Sequence, residues 1–266
     1  MSNGNGNDTQ HGDGNGLRVA MITGGASGIG AAIARQLGAQ GLRIVIADLD
    51  AQASQRTVAE LAGAQLQASA IAIDVTAPAS IADAFAELSR RHGRCDVLVN
   101  CAGIAKTYPF LDFPLDNWQR TMDVNLTGAL LCSQHAGRMM QPAGWGRIVN
   151  IASVAGLRAV GVGRTAYGTS KAALIALTRQ MAVELAAHGI TANAVCPGPV
   201  DTPLTRELHS EKFRAEYTRA IPMNRYGTTD EVAAVVGFLA SEGASYVTGA
   251  AIPVDGGFLA AGARPD

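Results

Sequence analysis

Short runs of apolar, largely β-branched residues recur along the chain, and most are followed by a longer stretch with apolar side chains at helical spacing. The runs are 18–24 (RVAMITG), 42–48 (LRIVIAD), 68–74 (ASAIAID), 95–100 (CDVLVN), 146–153 (GRIVNIAS), 190–198 (ITANAVCPG) and 250–257 (AAIPVDGG). Nearly unbroken apolarity over so few residues predicts strands covered on both faces, as in a parallel sheet. Helices are predicted over 28–40, 51–62, 78–92, 114–140, 165–188 and 228–241. Strand, helix and strand repeated this way require right-handed crossovers. The expected architecture is α/β, with helices on both faces of one parallel sheet.

Neither a composition break nor a long linker divides 17–266, so a single Rossmann-like, doubly wound domain of about seven strands is expected there. Residues 1–16, MSNGNGNDTQHGDGNG, are too rich in Gly, Asn and Asp to pack and are predicted to be a disordered tail. They also lack the apolar stretch of a signal peptide. The longest apolar runs, such as AAVVGFLA at 233–240, fall far short of the roughly 20 residues of a membrane span. A formal net charge of −1 provides no field to attract nucleic acid or an anionic membrane. Cys95, Cys101, Cys132 and Cys196 form no CxxC pair, so each is expected to be a small buried hydrophobe, with no metal site. A reducing cytoplasm suits that set.

In a doubly wound sheet, ligands sit beyond the carboxyl ends of the strands, where strand order reverses. TGGASGIG at 23–30 follows the first strand and opens the first helix. Gly24, Gly28 and Gly30 there would let the backbone turn tightly and bring helix N–H groups to a pyrophosphate. The spacing G-x-x-x-G-x-G differs from the G-x-G-x-x-G fingerprint, so the cluster alone is weak evidence. Asp48 strengthens it. This residue ends the second strand, at about the separation expected of a carboxylate that binds an adenosine ribose. Its charge would repel a 2′-phosphate, and no Lys or Arg lies in the glycine turn or at 47–50, which favours NAD over NADP. Capping of the next helix is the alternative role for Asp48. Asp74, ending the third strand, would meet an adenine amino group or serve simple turn chemistry.

The chemistry-bearing stretch is SVAGLRAVGVGRTAYGTSK, 153–171. Tyr167 and Lys171 stand at i and i+4 of a predicted helix and so share a face. A free phenol has a pKa near 10, and bringing its phenolate to neutrality needs about 4 kcal/mol. A neighbouring ammonium shielded from water stabilises in the right sense. The spacing therefore suits a Tyr that exchanges a proton with an alcohol or ketone. Ser153, at the end of the fifth strand, would orient the same oxygen.

From about residue 17 to 260 the chain resembles the short-chain dehydrogenase/reductase family. The motifs that carry the likeness are TGGASGIG (23–30), NCAG (100–103), MDVNLTG (122–128), YGTSK (167–171), NAVCPGPVDTP (193–203) and ASYVTGAAIPVDGG (244–257). The resemblance implies that Tyr167 is the acid/base and that Lys171 binds the nicotinamide ribose and lowers the Tyr pKa. It further implies that Ser153 orients the carbonyl and that Asn125 holds a water linking Lys171 to solvent. Asn100, Ala102 and Gly103 would support the adenosine side, and Val200 and Thr202 the nicotinamide amide. Ser27, Ile29, Leu49, Val75, Pro197 and Gly198 are the remaining cofactor contacts it implies. Cys101 stands where the family more often has Asn, which should leave the backbone role intact. The separation of Ser153 and Tyr167 is one residue longer than usual, and the loop AVGVGR (159–164) is expected to absorb it.

Residues 199–225 are expected to form one or two short helices carrying Leu204, Leu208, Phe213 and Tyr217, by resemblance a mobile lid over the substrate. Their mixed charges (Arg206, Glu207, Glu211, Lys212, Arg214 and Glu216) suggest a solvated face, and His209 a surface position. Met140, Trp145, Tyr108 and Phe110 are expected in the core or at the rim. The family likeness implies a homotetramer. The activity expected is hydride transfer between NAD(H) and a secondary alcohol or ketone, with a sugar, polyol or other small hydroxy compound as substrate. A 3-oxoacyl thioester reductase is the alternative within the class. A dinucleotide-sensing regulator or a non-catalytic assembly protein stands outside it.

Overall fold

A computed structural model describes residues 16–208 and 210–261. The tail predicted for 1–16 therefore lies outside the described residues apart from Gly16, as do His209 and the side chains of Leu204 and Leu208. Seven strands form one sheet: β1 (Val19–Thr23), β2 (Arg43–Asp48), β3 (Ala68–Ala72), β4 (Val97–Asn100), β5 (Gly146–Ile151), β6 (Ile190–Pro197) and β7 (Ala251–Val254). Every pairing is parallel and the order is β3-β2-β1-β4-β5-β6-β7. The order reverses between β1 and β4, which fixes where a ligand cleft opens.

The strands are apolar throughout because both faces are covered. Along β1, Ile22 faces one core with Ile33 and Leu37, while Met21 faces the other with Leu88 and Met140. The first face is covered by α1 (Gly28–Ala39), α2 (Ala51–Gly63) and, further along the chain, α9 (Thr229–Leu239). The opposite face is covered by α3 (Pro78–His92), α5 (Gly128–Met140) and α6 (Thr165–Leu185), which follow the short α4 (Leu115–Met122). Local signals set the ends of several helices. Pro78 opens α3 and Gly93, at φ 71°, closes it. Thr228 and Glu231 form a capping box at the start of α9.

Several boundaries differ from the sequence expectation, four of them for a reason visible in the structure. The run 68–74 leaves the sheet after Ala72, because the Asp74 carboxylate accepts hydrogen bonds from the Thr76 N–H at 2.9 Å and hydroxyl at 2.7 Å. The last strand ends at Val254, since Gly256 and Gly257 adopt positive φ. Cys95 and Asp96 precede β4, with Asp96 drawn into an ion pair with Arg94. The helix expected over 114–140 is interrupted by a π-helical turn, Asp123–Thr127, between α4 and α5. Within the lid segment two helices form, α7 (Pro203–Leu208) and α8 (Glu211–Ala220). Arg206 and Arg214 there both bind Asp201; Arg206 is exposed, as expected of a solvated face, while Arg214 is half-buried. Met140 is buried in the core, and the Arg18 and Arg147 guanidinium groups both lie against the Trp145 ring.

Candidate active site

One cleft of about 1290 Å³ runs along the carboxyl ends of the strands. At one end lie Gly24, Ser27, Gly28, Ile29 and Gly30, followed by Asp48, Leu49, Asp74 and Val75. Ala102 and Gly103 line its middle with Ser153, Tyr167 and Lys171, and Pro197, Gly198, Val200 and Thr202 form the facing wall. Gly24 and Gly30 of the turn leave no room for a side chain. A Cβ on Gly30 would overlap the Gly24 carbonyl oxygen, and Gly24 itself sits at φ 65° against the Ala102 backbone. Ser27, at the N-cap of α1, makes no side-chain bond to the first turn, which leaves its N–H groups available at the cleft wall. A Cβ on Gly28 would come within 3.9 Å of Thr202, so the turn and the segment after β6 face each other closely.

The Asp48 carboxylate is fixed by backbone donors. Its Oδ2 accepts from the Ala26 N–H at 3.1 Å and its Oδ1 from the Asp50 N–H at 3.1 Å. The capping role that was its alternative falls to Asp50, whose side chain accepts from Ala53 at the start of α2. Asp74 lines the cleft, but its Oδ1 serves turn chemistry with Thr76, and those hydrogen bonds hold its pKa below the usual carboxylate value.

Lys171 is buried and its Nζ donates to the Ile151 carbonyl at 2.7 Å. Burial lowers its pKa to about 8. The ammonium lies 5.8 Å from the centre of the Tyr167 ring. Tyr167 titrates above the ordinary phenol value because burial outweighs two opposing effects, a hydrogen bond with Ser153 and the nearby charge of Arg164. Among the chain's own groups, burial of the phenol thus outweighs the neighbouring charges. Burial penalises the phenolate, and Lys171 is itself desolvated.

Asn100 and Asn125 do not line the cleft; they back it. The Asn100 amide donates to Asn150 Oδ1 at 2.8 Å and Ser133 Oγ at 3.0 Å, tying β4 to β5 and α5. Asn125 sits in the π-helical turn, and its Oδ1 accepts from the Ile104 N–H at 2.9 Å. Its amide donates to the Ile104 carbonyl and to Ser170 Oγ, each at 3.0 Å. Both amide hydrogens are thus spent, and only the oxygen retains a free lone pair for the water relay expected of it. A Cβ on Gly103 would come within 3.4 Å of both Asn125 Oδ1 and Lys171 Nζ, so the two residues meet beneath that glycine. π turns concentrate at functional sites. The residues MDVNLTG give no breaker by which this one could be read beforehand.

Beyond Tyr167 the cleft is walled partly by the 104–110 segment, to which sequence reasoning gave no site role. Tyr108 in the 104–110 segment donates its N–H to the Gly163 carbonyl at 3.1 Å, pairing that segment with the loop before α6. Gly161 and Gly163 in this loop have φ of 72° and 76°, left-handed turns that glycine adopts without strain. From the lid, Phe213 and Tyr217 complete the wall. Phe213 stacks on Tyr217 at 5.2 Å, Tyr217 on Phe258 at 5.3 Å, and the Arg158 guanidinium lies 5.2 Å over Phe258. All four cysteines are free. Cys101 alone reaches the cleft, where burial pushes its thiol up to about 12, leaving it a poor nucleophile. Among the described residues no cluster of metal-ligating side chains exists, and no helix is long and apolar enough to cross a membrane.

Comparison with known proteins agrees with this arrangement. A family model described as enoyl-(acyl carrier protein) reductase matches residues 24–259. The chain is 42% identical to a cis-4-hydroxycyclohexanecarboxylate dehydrogenase of Sinomonas cyclohexanicum, covering 91% of this chain and 97% of that one. It is 40% identical to the 3-oxoacyl-(acyl-carrier-protein) reductase FabG of Aquifex aeolicus, with the same coverage of 91% and 97%. Among solved structures, a gluconate 5-dehydrogenase from Burkholderia cenocepacia in complex with NADP and tartrate superposes with a TM-score of 0.88. It is 33% identical, covering 93% of this chain and 97% of that one. The protein belongs to the short-chain dehydrogenase/reductase family. It is an NAD(P)-dependent oxidoreductase that acts on CH–OH and C=O groups.

Proposed function

We propose that the enzyme transfers hydride between NAD(H) and a small secondary alcohol or its ketone, with Tyr167 moving the hydroxyl proton. The observation that carries this reading is the meeting of the Ser153–Tyr167 pair with buried Lys171 in the cleft that also holds the glycine turn and Asp48. Bound NAD⁺ supplies the hydride acceptor, a cationic pyridinium. Gly24, Gly28 and Gly30 would receive its pyrophosphate on backbone N–H groups. Asp48 would accept from the ribose hydroxyls, and its fixed charge among backbone donors supports NAD over NADP.

In this reading Ser153 donates to the reacting oxygen and orients it, while Tyr167 takes or gives its proton. Lys171 offsets the charge that forms on the phenol. Asn125 acts through the Gly103–Ile104 turn, which makes it a positioning residue. A homotetramer is part of the same reading and rests on the family likeness.

The test is oxidation of a panel of secondary alcohols, followed by NADH absorbance, for the wild type and Tyr167→Phe. Turnover by the variant should fall at least about 100-fold, the usual scale of lost acid/base catalysis. NADH affinity, read by its fluorescence, should change little. Near-wild-type turnover by Tyr167→Phe would refute the proton-transfer role. A clear preference for NADPH and an acyl thioester would move the enzyme to the reductase alternative.

A further inference from the structure

Where β2 and β3 form the end of the cleft, a cation stands in its wall, Arg120 of α4. Arg120 and Val124 are four positions apart and both line the cleft, so they share the face of α4 that looks into it. Arg120 is exposed, and its hydrogen bond among the described residues, from Nη1 to Thr76 Oγ1, is long at 3.5 Å. The Thr76 hydroxyl in turn donates to Asp74 Oδ1 at 2.7 Å, which sets the guanidinium beside the turn that carries Asp74. Among the described residues no carboxylate pairs with Arg120, so its flat face and remaining donors are uncommitted.

The strand order says which part of a dinucleotide arrives here. From β1 through β2 to β3 the cleft passes the glycine turn, then Asp48, then Asp74. Pyrophosphate, ribose and base would follow in that sequence, so Arg120, beside the turn after β3, is placed for the base and not for the phosphates. The surroundings suit a flat ring with a polar edge. Ile73, Val75 and Val124 give apolar lining, and Leu49 enters from the end of β2 with its large apolar side chain 66% exposed. Asp74 Oδ1 is taken by Thr76, while Oδ2 accepts nothing among the described residues and is open to an exocyclic amino group. Guanidinium is planar, weakly hydrated and always charged, and it stacks on aromatic faces. We propose that Arg120 lies over the adenine ring of the bound dinucleotide and closes the open side of its slot. This rests on the NAD(P)-dependent reading and adds a cofactor contact from α4, outside the glycine turn and the strand ends.

The test titrates the full chain with NADH, NADPH and reduced nicotinamide mononucleotide, which lacks the adenosine half, by nicotinamide fluorescence. ADP-ribose, which lacks the nicotinamide, is measured by displacement of NADH. Arg120→Ala should raise the dissociation constants of NADH and ADP-ribose about 5-fold, the scale of an exposed cation–π contact. That of the mononucleotide should not change, and NADPH should weaken by the same factor as NADH. Arg120→Lys, which keeps the charge and loses the plane, should recover part of the loss. NADH and ADP-ribose constants within about 1.5-fold of wild type would overturn the inference. Equal weakening of the mononucleotide would overturn it too, since that marks a disturbed cleft and not a lost base contact. So would a loss confined to NADPH, which would make Arg120 a contact of the 2′-phosphate. NADH binding that depends on Arg120 without oxidation of any alcohol would keep the base contact and retract the proposed reaction.

Discussion

Lys171→Met separates what the buried cation does for activity from what it costs the fold. Methionine keeps an unbranched stem in the same slot and removes the charge. Burial lowers Lys171 from 10.5 to about 8, so holding the ammonium at pH 7 costs about 3 kcal/mol, at roughly 1.4 kcal/mol per pH unit. Against this, the variant loses the 2.7 Å bond to the Ile151 carbonyl, worth about 1–2 kcal/mol. The variant should therefore be more stable than wild type at pH 7 by about 1–2 kcal/mol, or a few degrees in Tm. Between pH 8 and 10.5 the unfolded chain keeps a proton that the folded chain has released, so wild-type stability rises with pH relative to the variant. The variant's advantage should vanish between about pH 9 and 10 and then reverse. Urea unfolding at pH 7, 8.5 and 10, at one protein concentration, measures this directly, and alcohol oxidation by the variant should be lost at every pH. A variant less stable at pH 7, or a difference that does not vary with pH, would refute the account of Lys171 as a cation held against its desolvation.

Two further outcomes follow from the cofactor half of the cleft. Gly30→Ala should abolish measurable NADH binding in a fluorescence titration and destabilise the fold by about 1–3 kcal/mol in urea, because its methyl group overlaps the Gly24 carbonyl; binding within 3-fold of wild type, on the order of 0.6 kcal/mol, would show the turn is not as tight as described. Asp48→Ser should cut the preference for NAD⁺ over NADP⁺ by at least about 10-fold, the scale of one lost charge effect. The same change should cost about 1 kcal/mol of stability through the freed Ala26 and Asp50 N–H groups. A ratio of kcat/KM values that Asp48→Ser leaves unchanged would remove Asp48 from the selection.

The sheet was legible because strands buried on both faces must be apolar at every position, and those runs stand out between helical stretches. Where the third run reached Asp74 and the last reached its glycine pair, local turn chemistry competed with the ladder. That is why β3 stopped short of Asp74 and β7 stopped before Gly256. The glycine turn and the Ser153, Tyr167 and Lys171 set were readable from spacing and position after strands. The π turn was not, since it is held by Asn125 bonds to Ile104 and Ser170, partners distant in sequence. The pocket wall from 104 to 110 was hidden for the same reason, as Tyr108 gains its place by pairing with Gly163. The titration of Tyr167 also escaped the sequence, because how far water is withdrawn from a phenol is a property of the folded cleft.

The aromatic column of Phe213, Tyr217 and Phe258, topped by Arg158, joins three segments that the chain itself keeps far apart. Any displacement of α8 must slide one ring face over another, so a change at Phe258 is passed to the wall that Phe213 and Tyr217 give the cleft.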